Sequence, residues 1–400
     1  MNKNLKISVI GLGYVGLPTA LAIAQAGHSV FGYDKDESLI KELNNNILRI
    51  SEKGFSAFFE NTNNNNRIIY DNKLKEADIY IIAVPTPIYE DKIPNLDYVY
   101  SALKSIMKVL KDGDSIILES TSPIGTTESL YKQIKASRPD LFSSKNTPLF
   151  NLAYCPERIL PGNLVFEIIH NDRIIGGINE ESADFVYKFY ESFTFCNLYK
   201  TTSKTAELVK LCENSYRDVN IAFANELSLL CDEENIDVKE VISLANKHPR
   251  VDILNPGIGV GGHCIPVDPW FIVNSSKDHS TLIKRAREIN DYKTEWTLKK
   301  ITQIIDSNKI VNSKIKIGIL GITYKPNIND VRESPSLKIL NDLIKLYPSV
   351  VVSDGYVYPK PEGLTFLSID EILKHADIIF ILTKHKEYDN ISNKKVIDFS

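Results

Sequence analysis

The feature that most constrains the fold is a glycine pattern near the start of the chain. Gly11, Gly13 and Gly16 have the spacing GxGxxG, directly after an apolar run of strand type at Lys6–Ile10 and ahead of a helical pattern. Asp34 lies at the end of the next strand-type run. Together these features predict a strand–turn–helix unit that holds a dinucleotide pyrophosphate at the helix amino terminus. A carboxylate at position 34 would bind ribose hydroxyls and repel a 2′-phosphate, which favours NAD over NADP.

The predicted cofactor contacts extend beyond the three glycines. Tyr14 and Val15 lie between them and are included. Thr86 and Thr121 follow two later strand candidates, and ligands in such sheets bind beyond the carboxyl ends of the strands. We expect both threonines at the cofactor, although loop capping explains either residue equally well. A glycine turn that serves only strand–helix packing is the weaker interpretation of the motif.

Short apolar runs alternate with helical patterns at both ends of the chain, as in parallel sheets covered by helices on both faces. The first set of predicted strands is Lys6–Ile10, Val30–Tyr33, Ile79–Val84, Ser115–Leu118, Asn151–Tyr154 and Arg173–Ile175. The second set is Lys314–Leu320, Val350–Ser353, Ile378–Leu382 and Val396–Asp398. KISVIGLG at 6–13 is echoed by KIGILG at 316–321. The second turn lacks the full fingerprint, so its spacing favours a structural repeat over a second nucleotide loop.

The middle of the chain has a helical pattern. Residues 203–236 contain neither Gly nor Pro and predict one long helix. Apolar positions at spacings of three and four predict a buried stripe of Val209, Cys212, Tyr216, Val219, Phe223, Leu227 and Leu230. Further helices are predicted at 238–246 and 281–312. We predict an α/β fold in which two Rossmann-like, doubly wound parallel-sheet domains, residues 1–200 and 312–400, are joined by a central helical region at 201–311.

Composition limits the class of function. The 400 residues are 43% hydrophobic and 24% charged, as in a soluble globular chain, and a formal net charge of −4 argues against nucleic-acid binding. We expect no signal peptide, because glycines interrupt the first apolar run, and no stretch has the length of a membrane span. The five cysteines are scattered without a CxxC pair, which indicates a reducing cytoplasm rather than a disulfide framework.

Cys264 lies in GIGVGGHCIPVDPW at 257–270, a loop with little apolar material around the thiol. Adjacent His263 and distant His279 match no zinc-ligand spacing, so no metal is predicted. A disulfide is the weakest interpretation in a reducing compartment. Spacing leaves two alternatives open, a buried thiol and a nucleophile whose pKa is lowered by a nearby lysine.

A polar row lies on the predicted long helix. Lys210, Asn214 and Arg217 stand at i, i+4 and i+7 and share one narrow arc. The row combines an amide with two cations instead of pairing opposite charges. A solvated helix face and a polar functional face explain it about equally well.

The combined motifs resemble those of the UDP-sugar 6-dehydrogenases, the UDP-glucose/UDP-mannuronate dehydrogenase family, over essentially the whole chain. The stretches that carry the resemblance are GLGYVGLP, VPTP, ESTSPIGTT, YCPERILPG, KLCENSYRDVNIAFANE, GIGVGGHCIPVDPW and TYKPNINDVRESP. ENSYRDVNIAFANEL, HPRV and CIPVDPW are most similar to the branch that oxidises UDP-N-acetyl-D-mannosamine. Relatives that act on UDP-glucose usually carry a lysine immediately before the loop aspartate, where this chain has Val267.

The resemblance implies a four-electron, NAD-dependent oxidation at C6 of a UDP-N-acetylhexosamine. Cys264 would attack an aldehyde to form a thiohemiacetal, which is oxidised to a thioester and released by water as the uronate. The other catalytic residues that the resemblance implies are Lys210 and Asn214 at the oxyanion, Thr121 and Glu157 at the hydrolytic water with Glu157 as base, and Asp268 beside Cys264.

The resemblance also implies a set of substrate contacts. These are Arg158, Ile159, Leu160, Lys210, Asn214, Arg217, His248, Arg250, Gly261, Tyr324 and Lys325. The carboxyl-terminal domain would bind UDP, and Arg332 would face the cofactor. The segment with Arg250 reaches a neighbouring subunit's site in the family, so at least a homodimer is expected. Ordinary surface positions remain the alternative for His248 and Arg332.

Two other classes of function stay open at this point. One is a two-electron dehydrogenase of the hydroxyacid type, which has no use for Cys264 or for a second nucleotide-like domain. The other is a catalytically silent NAD-binding protein. Relatives often continue past the last strand with a basic residue that contacts the nucleotide, whereas this sequence ends in VIDFS. That contact is expected to be absent or supplied elsewhere, unless the sequence stops short of it. The family also implies a role in making cell-envelope polysaccharide precursors.

Overall fold

The computed structural model describes residues 4–50, 52–159, 162–307, 315–391 and 395–400. The chain divides into two compact units, Met1–Cys212 and Glu213–Ser400. The division falls within Ser203–Glu233, the longest helix among the described residues. The predicted substrate contact Leu160 and the predicted domain boundary at 311/312 lie outside the described residues.

The first unit contains one eight-stranded sheet. Its strands are β1 (Lys6–Ile10), β2 (Ser29–Tyr33), β3 (Ile68–Asp71), β4 (Ile79–Ile82), β5 (Ser115–Leu118), β6 (Asn151–Tyr154), β7 (Arg173–Gly177) and β8 (Leu198–Thr202). The order across the sheet is β3-β2-β1-β4-β5-β6-β7-β8, and only the β6–β7 pair is antiparallel. The first six strands have the order of a doubly wound dinucleotide fold, with its switch point between β1 and β4.

Helices cover both faces of this sheet. They are α1 (Gly16–Gln25), α2 (Glu37–Asn44), α3 (Phe55–Asn63), α4 (Asp97–Ile106), α5 (Thr126–Ser137), α6 (Leu164–His170), α7 (Glu180–Glu191) and the start of α8 (Ser203–Glu233), with a short 3-10 turn at Pro139–Leu141. Along β4, Ile79 and Ile81 belong to one buried cluster, and Tyr80 and Ile82 belong to the other. Burial on both faces explains why the central strands appear as continuous apolar runs.

The sequence analysis missed β3 and β8, which form the two edges of the sheet. β3 begins two residues after the asparagine run at 63–66, and β8 has the sequence LYKTT with half-exposed or exposed side chains. An edge strand is covered less completely than a central one, so it needs no continuous apolar run. Apolar runs therefore located the central strands and failed at the edges.

The predicted helix α8 is confirmed, but the prediction that its apolar stripe is buried is wrong. Tyr216, Phe223 and Leu230 are 71%, 55% and 56% exposed, and Cys212 is exposed too. The remaining members of the stripe are only half-buried. The predicted spacing is real, but the apolar face points away from the rest of this chain.

The side of α8 that is buried is largely polar. In the second unit, Asp218 forms a buried ion pair with Arg287. Asn225 Nδ2 donates to Asn290 Oδ1 at 2.8 Å, and Asn225 Oδ1 accepts from the Gly257 amide at 2.9 Å. Polar groups can be buried when partners satisfy them. This face of the helix therefore holds the start of the loop that carries Cys264.

The second unit contains a four-stranded parallel sheet in the order β10-β9-β11-β12. The strands are β9 (Ile317–Leu320), β10 (Val351–Ser353), β11 (Ile378–Ile381) and β12 (Val396–Asp398). The helices are α9 (Val238–Ala245), α10 (Asp268–Ser275), α11 (Thr281–Ser307), α12 (Pro335–Leu346) and α13 (Ile369–His375), with a 3-10 turn at Lys386–Tyr388. The predicted fold class, with two Rossmann-like sheets and a long central helix, is confirmed. Residues 308–312 of the helix predicted at 281–312 lie outside the described residues.

In the described part of the chain, no helix combines the length and the apolar character needed to cross a membrane.

The repeat between the two sheets extends to the glycine turns. After β1, the Gly11 amide donates to the Tyr33 carbonyl oxygen at 2.9 Å. After β9, the Gly321 amide donates to the Ser353 carbonyl oxygen at 3.0 Å. Both glycines have positive φ, 92° and 80°, a conformation that favours glycine. The second turn is therefore a structural repeat of the first.

The acidic residue after the second strand is repeated as well. Asp34 accepts from the Leu12 amide at 2.8 Å, and Asp354 accepts from the Ile322 amide at 2.7 Å. The copies differ in their surroundings, because Asp34 is half-buried whereas Asp354 is buried against His385 Nε2 at 3.1 Å. Only the first aspartate is open towards solvent.

Candidate functional site

In the first unit, backbone contacts shape the glycine turn. A Cβ at Gly11 would lie 2.6 Å from the Ala83 carbonyl oxygen, and a Cβ at Gly16 would overlap the Gly11 carbonyl oxygen. Gly13 differs, because a Cβ built there meets nothing within 4 Å. The turn itself requires Gly11 and Gly16, whereas open space lies above Gly13.

The residues around this open space fit NAD. The N-cap of α1 is Val15, which offers no side-chain oxygen, and the first amides of a helix lack intrahelical partners. Such amides bind a pyrophosphate. Asp34 Oδ2 accepts from the Leu12 amide at 2.8 Å, and Oδ1 accepts from the Asp36 amide at 2.9 Å. Each carboxylate oxygen keeps a lone pair that can accept from a ribose hydroxyl.

Glu52 joins the glycine turn to the loop after β6, a link that the sequence analysis did not anticipate. Its Oε1 accepts from the Tyr14 hydroxyl at 2.7 Å. Its Oε2 accepts from the Gly162 amide at 3.0 Å. The predicted cofactor contact Tyr14 is therefore anchored to the loop that carries predicted substrate contacts.

Thr86 and Thr121 lie beyond the carboxyl ends of the neighbouring strands β4 and β5. Both threonines are half-buried. Next to them, Ser120 Oγ donates to the Val84 carbonyl oxygen at 2.7 Å and ties the two loops together. This edge of the sheet is where doubly wound folds bind their ligands.

Glu207, which the sequence analysis did not select, caps α5 from α8. Its Oε1 accepts from the Thr127 amide at 2.8 Å and from the Thr127 hydroxyl at 2.7 Å, and its Oε2 accepts from the Gly125 amide at 2.5 Å. The N-cap of α5 is Gly125, which has no side chain of its own to do this. Burial raises the pKa of Glu207, and the three hydrogen bonds oppose that rise. The carboxylate fixes the end of the Thr121 loop to the helix that carries Lys210.

Glu157 lies in the loop after β6 and is buried. Its Oε2 is 2.9 Å from Arg173 Nη2, and its Oε1 accepts from the Arg158 amide at 2.6 Å. Arg158 is half-buried, and its Nη1 donates to the Asp172 carbonyl oxygen at 2.9 Å. Ile159 packs against the hydrophobic core. A surface position for Glu157 is therefore excluded.

The polar row on α8 is divided in its exposure. Lys210 and Asn214 are buried, whereas Arg217 is exposed. Of the three residues, only Arg217 fits the interpretation of the row as a solvated helix face. Buried cations and amides need partners, so Lys210 and Asn214 are the members of the row suited to a site.

In the second unit, Cys264 is half-buried at the end of its glycine-rich loop. Its carbonyl oxygen accepts from the Val267 and Asp268 amides at 3.0 and 2.9 Å, so the chain turns directly into α10. Asp268 is buried, and its Oδ2 accepts from Asn214 Nδ2 at 2.5 Å. The structure brings two predicted catalytic residues, Asn214 and Asp268, into direct contact.

The glycines of this loop pack against the loop that follows β9. A Cβ at Gly261 would lie 2.6 Å from Tyr324 Cβ and 2.8 Å from the Glu333 carbonyl oxygen. Gly262 has a φ of 88°, and its amide donates to the Arg332 carbonyl oxygen at 3.0 Å. Packing between the two loops therefore explains why position 261 is a glycine, in addition to the close approach of a ligand that the motif suggests.

Arg332 lies in the loop that follows β9 and is exposed. Its Nη2 forms an ion pair with Asp330 at 2.6 Å, and this hydrogen bond raises the pKa of Arg332 above its usual value. Burial raises the pKa of Tyr324 to about 12. The nearby lysine expected to lower the pKa of the Cys264 thiol stays a prediction.

Four predicted substrate contacts of the second unit are exposed, namely Arg217, His248, Arg250 and Lys325. The Arg250 amide donates to His248 Nδ1 at 3.3 Å, so these two residues belong to one turn. Among the described residues, all five cysteines are thiols, and no three His, Cys, Asp or Glu side chains converge as a metal-ligand set.

Three family models match consecutive parts of the chain. They are described as the NAD binding domain, the central domain and the UDP binding domain of the UDP-glucose/GDP-mannose dehydrogenase family, and they match residues 5–194, 204–292 and 318–399. The chain belongs to this family. The resemblance found in the sequence is thereby confirmed. The family match also confirms NAD as the cofactor and establishes the chain as a dehydrogenase.

Individual members of the UDP-glucose/GDP-mannose dehydrogenase family are similar over their full length. UDP-N-acetyl-D-mannosamine dehydrogenase of Campylobacter jejuni is 42% identical, with 100% of each chain covered. The enzyme of the same name from Methanocaldococcus jannaschii is 44% identical over 98% of this chain and 88% of the relative. The solved structure of a UDP-D-ManNAc dehydrogenase from Pyrococcus horikoshii has a TM-score of 0.91 and 35% identity, covering 99% of this chain and 95% of that one.

Proposed function

We propose that this dehydrogenase oxidises C6 of UDP-N-acetyl-D-mannosamine to the carboxylate, a four-electron reaction that consumes two NAD. The observation that carries the proposal is the full-length similarity, at 42–44% identity, to enzymes named for that substrate. The loop that holds Cys264 supports it, because a two-electron dehydrogenase needs no thiol. The substrate of this chain is therefore a UDP-N-acetylhexosamine.

Cys264 is the proposed nucleophile. Bound NAD would accept a hydride in each of the two oxidation steps. The Cys264 sulfur adds to the aldehyde carbon, giving a thiohemiacetal, and loss of a hydride from that carbon gives a thioester. A thioester is more reactive towards water than an oxygen ester, so its hydrolysis releases the uronate and restores the thiol.

Three buried polar residues form the proposed oxyanion and proton-transfer group. Lys210 supplies positive charge to the alkoxide that develops in each addition step. Asn214 donates to the same oxygen, and Asp268 holds the Asn214 amide through the hydrogen bond of 2.5 Å.

Glu157 and Thr121 are proposed to hold the hydrolytic water. A buried carboxylate held beside a cation can accept a proton from a water bound next to it, whereas an exposed one would be solvated by bulk water instead. Glu157 has that environment because Arg173 Nη2 is 2.9 Å away. Thr121 contributes a hydroxyl that can accept from or donate to the same water.

The remaining contacts follow the family pattern. The proposed cofactor contacts are Gly11, Gly13, Tyr14, Val15, Gly16, Asp34, Thr86, Thr121 and Arg332. The proposed substrate contacts are Arg158, Ile159, Leu160, Lys210, Asn214, Arg217, His248, Arg250, Gly261, Tyr324 and Lys325. In this proposal, residues 1–200 bind NAD, residues 201–311 form the central and dimerisation region, and residues 312–400 bind UDP.

The direct test measures NADH formed per uronate with UDP-N-acetylmannosamine, UDP-N-acetylglucosamine, UDP-N-acetylgalactosamine and UDP-glucose. We expect two NADH per uronate and the highest kcat/KM with UDP-N-acetylmannosamine. Epimers differ by contacts of about 1–3 kcal/mol, so the preference should be roughly 10- to 100-fold. One NADH per sugar would support the hydroxyacid-type alternative. A higher kcat/KM with UDP-N-acetylglucosamine or UDP-glucose would change the substrate and keep the mechanism.

A homodimer is proposed from the exposed face of α8. Tyr216, Phe223 and Leu230 recur every seven residues, the spacing at which one helix face meets a partner helix. Because the same stripe on two copies is self-complementary, a second copy of this chain is the proposed occupant. The dimer would also bring the exposed Arg250 to a neighbouring site, as the family pattern implies.

Phe223→Glu is expected to convert the dimer to monomers, because association would bury a carboxylate against apolar side chains. Analytical ultracentrifugation measures the change. Phe195→Glu is the matched control, since Phe195 is 78% exposed but lies outside α8. If Phe223→Glu stays dimeric at the wild-type dissociation constant, the stripe is not the interface.

We further propose that the enzyme works in the cytoplasm and supplies a nucleotide sugar for cell-envelope polysaccharides. The scattered cysteines, all present as thiols, support a reducing compartment. Localisation of a tagged chain and the loss of the uronate from cell-envelope material in a deletion strain would test the two parts.

A further inference from the structure

A buried charged cluster lies behind Glu157 in the first unit. Arg173 comes from β7, Glu119 from the end of β5 and Tyr190 from α7, and all of them are buried. Arg173 Nη2 is 2.9 Å from Glu157 Oε2, whereas Arg173 Nη1 is 3.8 Å from Glu119 Oε1. One guanidinium therefore serves two carboxylates, and it is closer to Glu157.

The second carboxylate has neutral partners instead. Glu119 Oε1 accepts from the Tyr190 hydroxyl at 2.5 Å, and Oε2 accepts from the Thr19 hydroxyl at 3.2 Å. The Arg173 guanidinium carbon also lies 4.8 Å from the centre of the Tyr190 ring. Two of the three Arg173 nitrogens, Nε and Nη1, are buried and have no hydrogen-bond partner among the described residues. Arg173 therefore interacts with its neighbours mainly through charge, because its nitrogens do not make a full set of hydrogen bonds.

Charge balance decides which carboxylate takes up a proton. If both carboxylates are ionised, the buried cluster carries a net charge of −1, which burial disfavours. Burial raises the pKa of Glu119 to about 7; the Glu157 charge adds to the rise and Arg173 opposes it. Cys155 also faces the cluster, and burial raises its pKa to about 12, so it stays a neutral thiol. Tyr190 has its pKa raised as well and stays neutral.

We propose that Arg173 and Glu119 are positioning residues that fix the orientation of the Glu157 carboxylate. Arg173 supplies the positive charge next to Glu157, and Glu119 competes with Glu157 for that positive charge. The inference rests on the proposed role of Glu157 as base for thioester hydrolysis. Neither residue touches the substrate in this scheme. Both act through the protonation and orientation of Glu157.

The two residues should change different parts of the pH profile of kcat. Without Arg173, the buried Glu157 carboxylate loses its neighbouring cation, so the acid limb of the profile moves to higher pH, by about 1–3 units. Burial raises the pKa of Glu119 to about 7, so Glu119 is neutral over the acid limb. Its replacement by Gln should therefore leave that limb in place and remove the change in kcat that accompanies Glu119 ionisation near pH 7. A purely structural role would lower activity at every pH without moving the profile.

The experiment compares Arg173→Met, Arg173→Lys, Glu119→Gln and Glu157→Gln with the wild-type enzyme. We expect an alkaline shift of the acid limb for Arg173→Met and a smaller one for Arg173→Lys. For the nearly isosteric Glu119→Gln we expect an unchanged acid limb and the loss of the change in kcat near pH 7. Mass spectrometry of quenched turnover should detect the acyl adduct on Cys264 in Arg173→Met at neutral pH. NAD affinity and thermal unfolding report on the fold, and Arg138→Met is a control for the loss of an arginine paired elsewhere in this unit.

The outcomes separate this inference from the proposed function. If Glu157→Gln accumulates no acyl enzyme and keeps its kcat, Glu157 is not the base and the proposed function loses that step. If Glu157→Gln accumulates it but Arg173→Met and Glu119→Gln leave the pH profile in place, only the inference is overturned. Should Arg173→Met fail to fold, Arg173→Lys and Glu119→Gln decide. An alkaline shift of the acid limb in Arg173→Lys together with loss of the change near pH 7 in Glu119→Gln supports the inference, and a wild-type profile in both variants overturns it.

Discussion

Cys264→Ala is expected to abolish uronate formation, with kcat reduced by at least about 1,000-fold, because no other nucleophile in the proposed scheme can carry the acyl group. The variant should still fold, since Cys264 is half-buried and alanine is smaller. NAD affinity should therefore be unchanged. The measurement is uronate formed per enzyme under saturating NAD, together with NAD binding by calorimetry.

Cys231→Ala is the matched control for this substitution. Cys231 is a buried thiol on α8 that has no place in the proposed chemistry. Its replacement should lower stability slightly, by about 1 kcal/mol, and leave the yield of uronate per NADH unchanged. Full activity of Cys264→Ala would contradict the thioester mechanism and leave the chain with an oxidation that needs no thiol.

Gly16→Ala is expected to disrupt the first unit, because the added Cβ would overlap the Gly11 carbonyl oxygen and backbone cannot move aside cheaply. The expected loss of stability is at least about 3 kcal/mol, or failure to fold. Thermal unfolding and the yield of folded protein measure this effect. NAD binding should be lost with the turn.

Gly13→Ala should behave differently although it lies in the same motif. Its Cβ meets no protein atom within 4 Å, so folding should be preserved. The methyl group would instead occupy the space proposed for the pyrophosphate, and NAD affinity should fall by roughly 10-fold or more. Equal loss of stability in both variants would mean that the turn is needed only for packing, which is the weaker interpretation of the motif.

Much of the fold follows from local sequence signals. The strands buried on both faces were located by their apolar runs, and the long helix was located by the absence of Gly and Pro. The failure on α8 has a physical origin. A period of three to four identifies an apolar helix face, but it does not say whether that face meets the same chain or another copy. Tyr216, Phe223 and Leu230 have the expected spacing and the opposite exposure.

The candidate site was less accessible to sequence reasoning. The family motifs identified Glu157 and Asp268 as site residues. They did not predict that Arg173 contacts Glu157 or that Asn214 contacts Asp268. Arg173 is 16 residues from Glu157 along the chain and reaches it because β6 and β7 are neighbours. Glu207 was missed for the same reason, since its partners Gly125 and Thr127 lie about 80 residues away. Such pairs depend on tertiary packing, which no local spacing records.

The repeated aspartates bear on attempts to redesign cofactor preference. Asp34 and Asp354 hold their turns through the same bond to a loop amide, although only one of them is open to solvent. The carboxylate is therefore part of the scaffold of each turn, independent of any ribose. Exchanging Asp34 for a small neutral residue, the usual way to admit a phosphorylated cofactor, would also release the Leu12 amide. A redesigned enzyme would need a new hydrogen-bond acceptor for that amide before the turn could bind a different nucleotide.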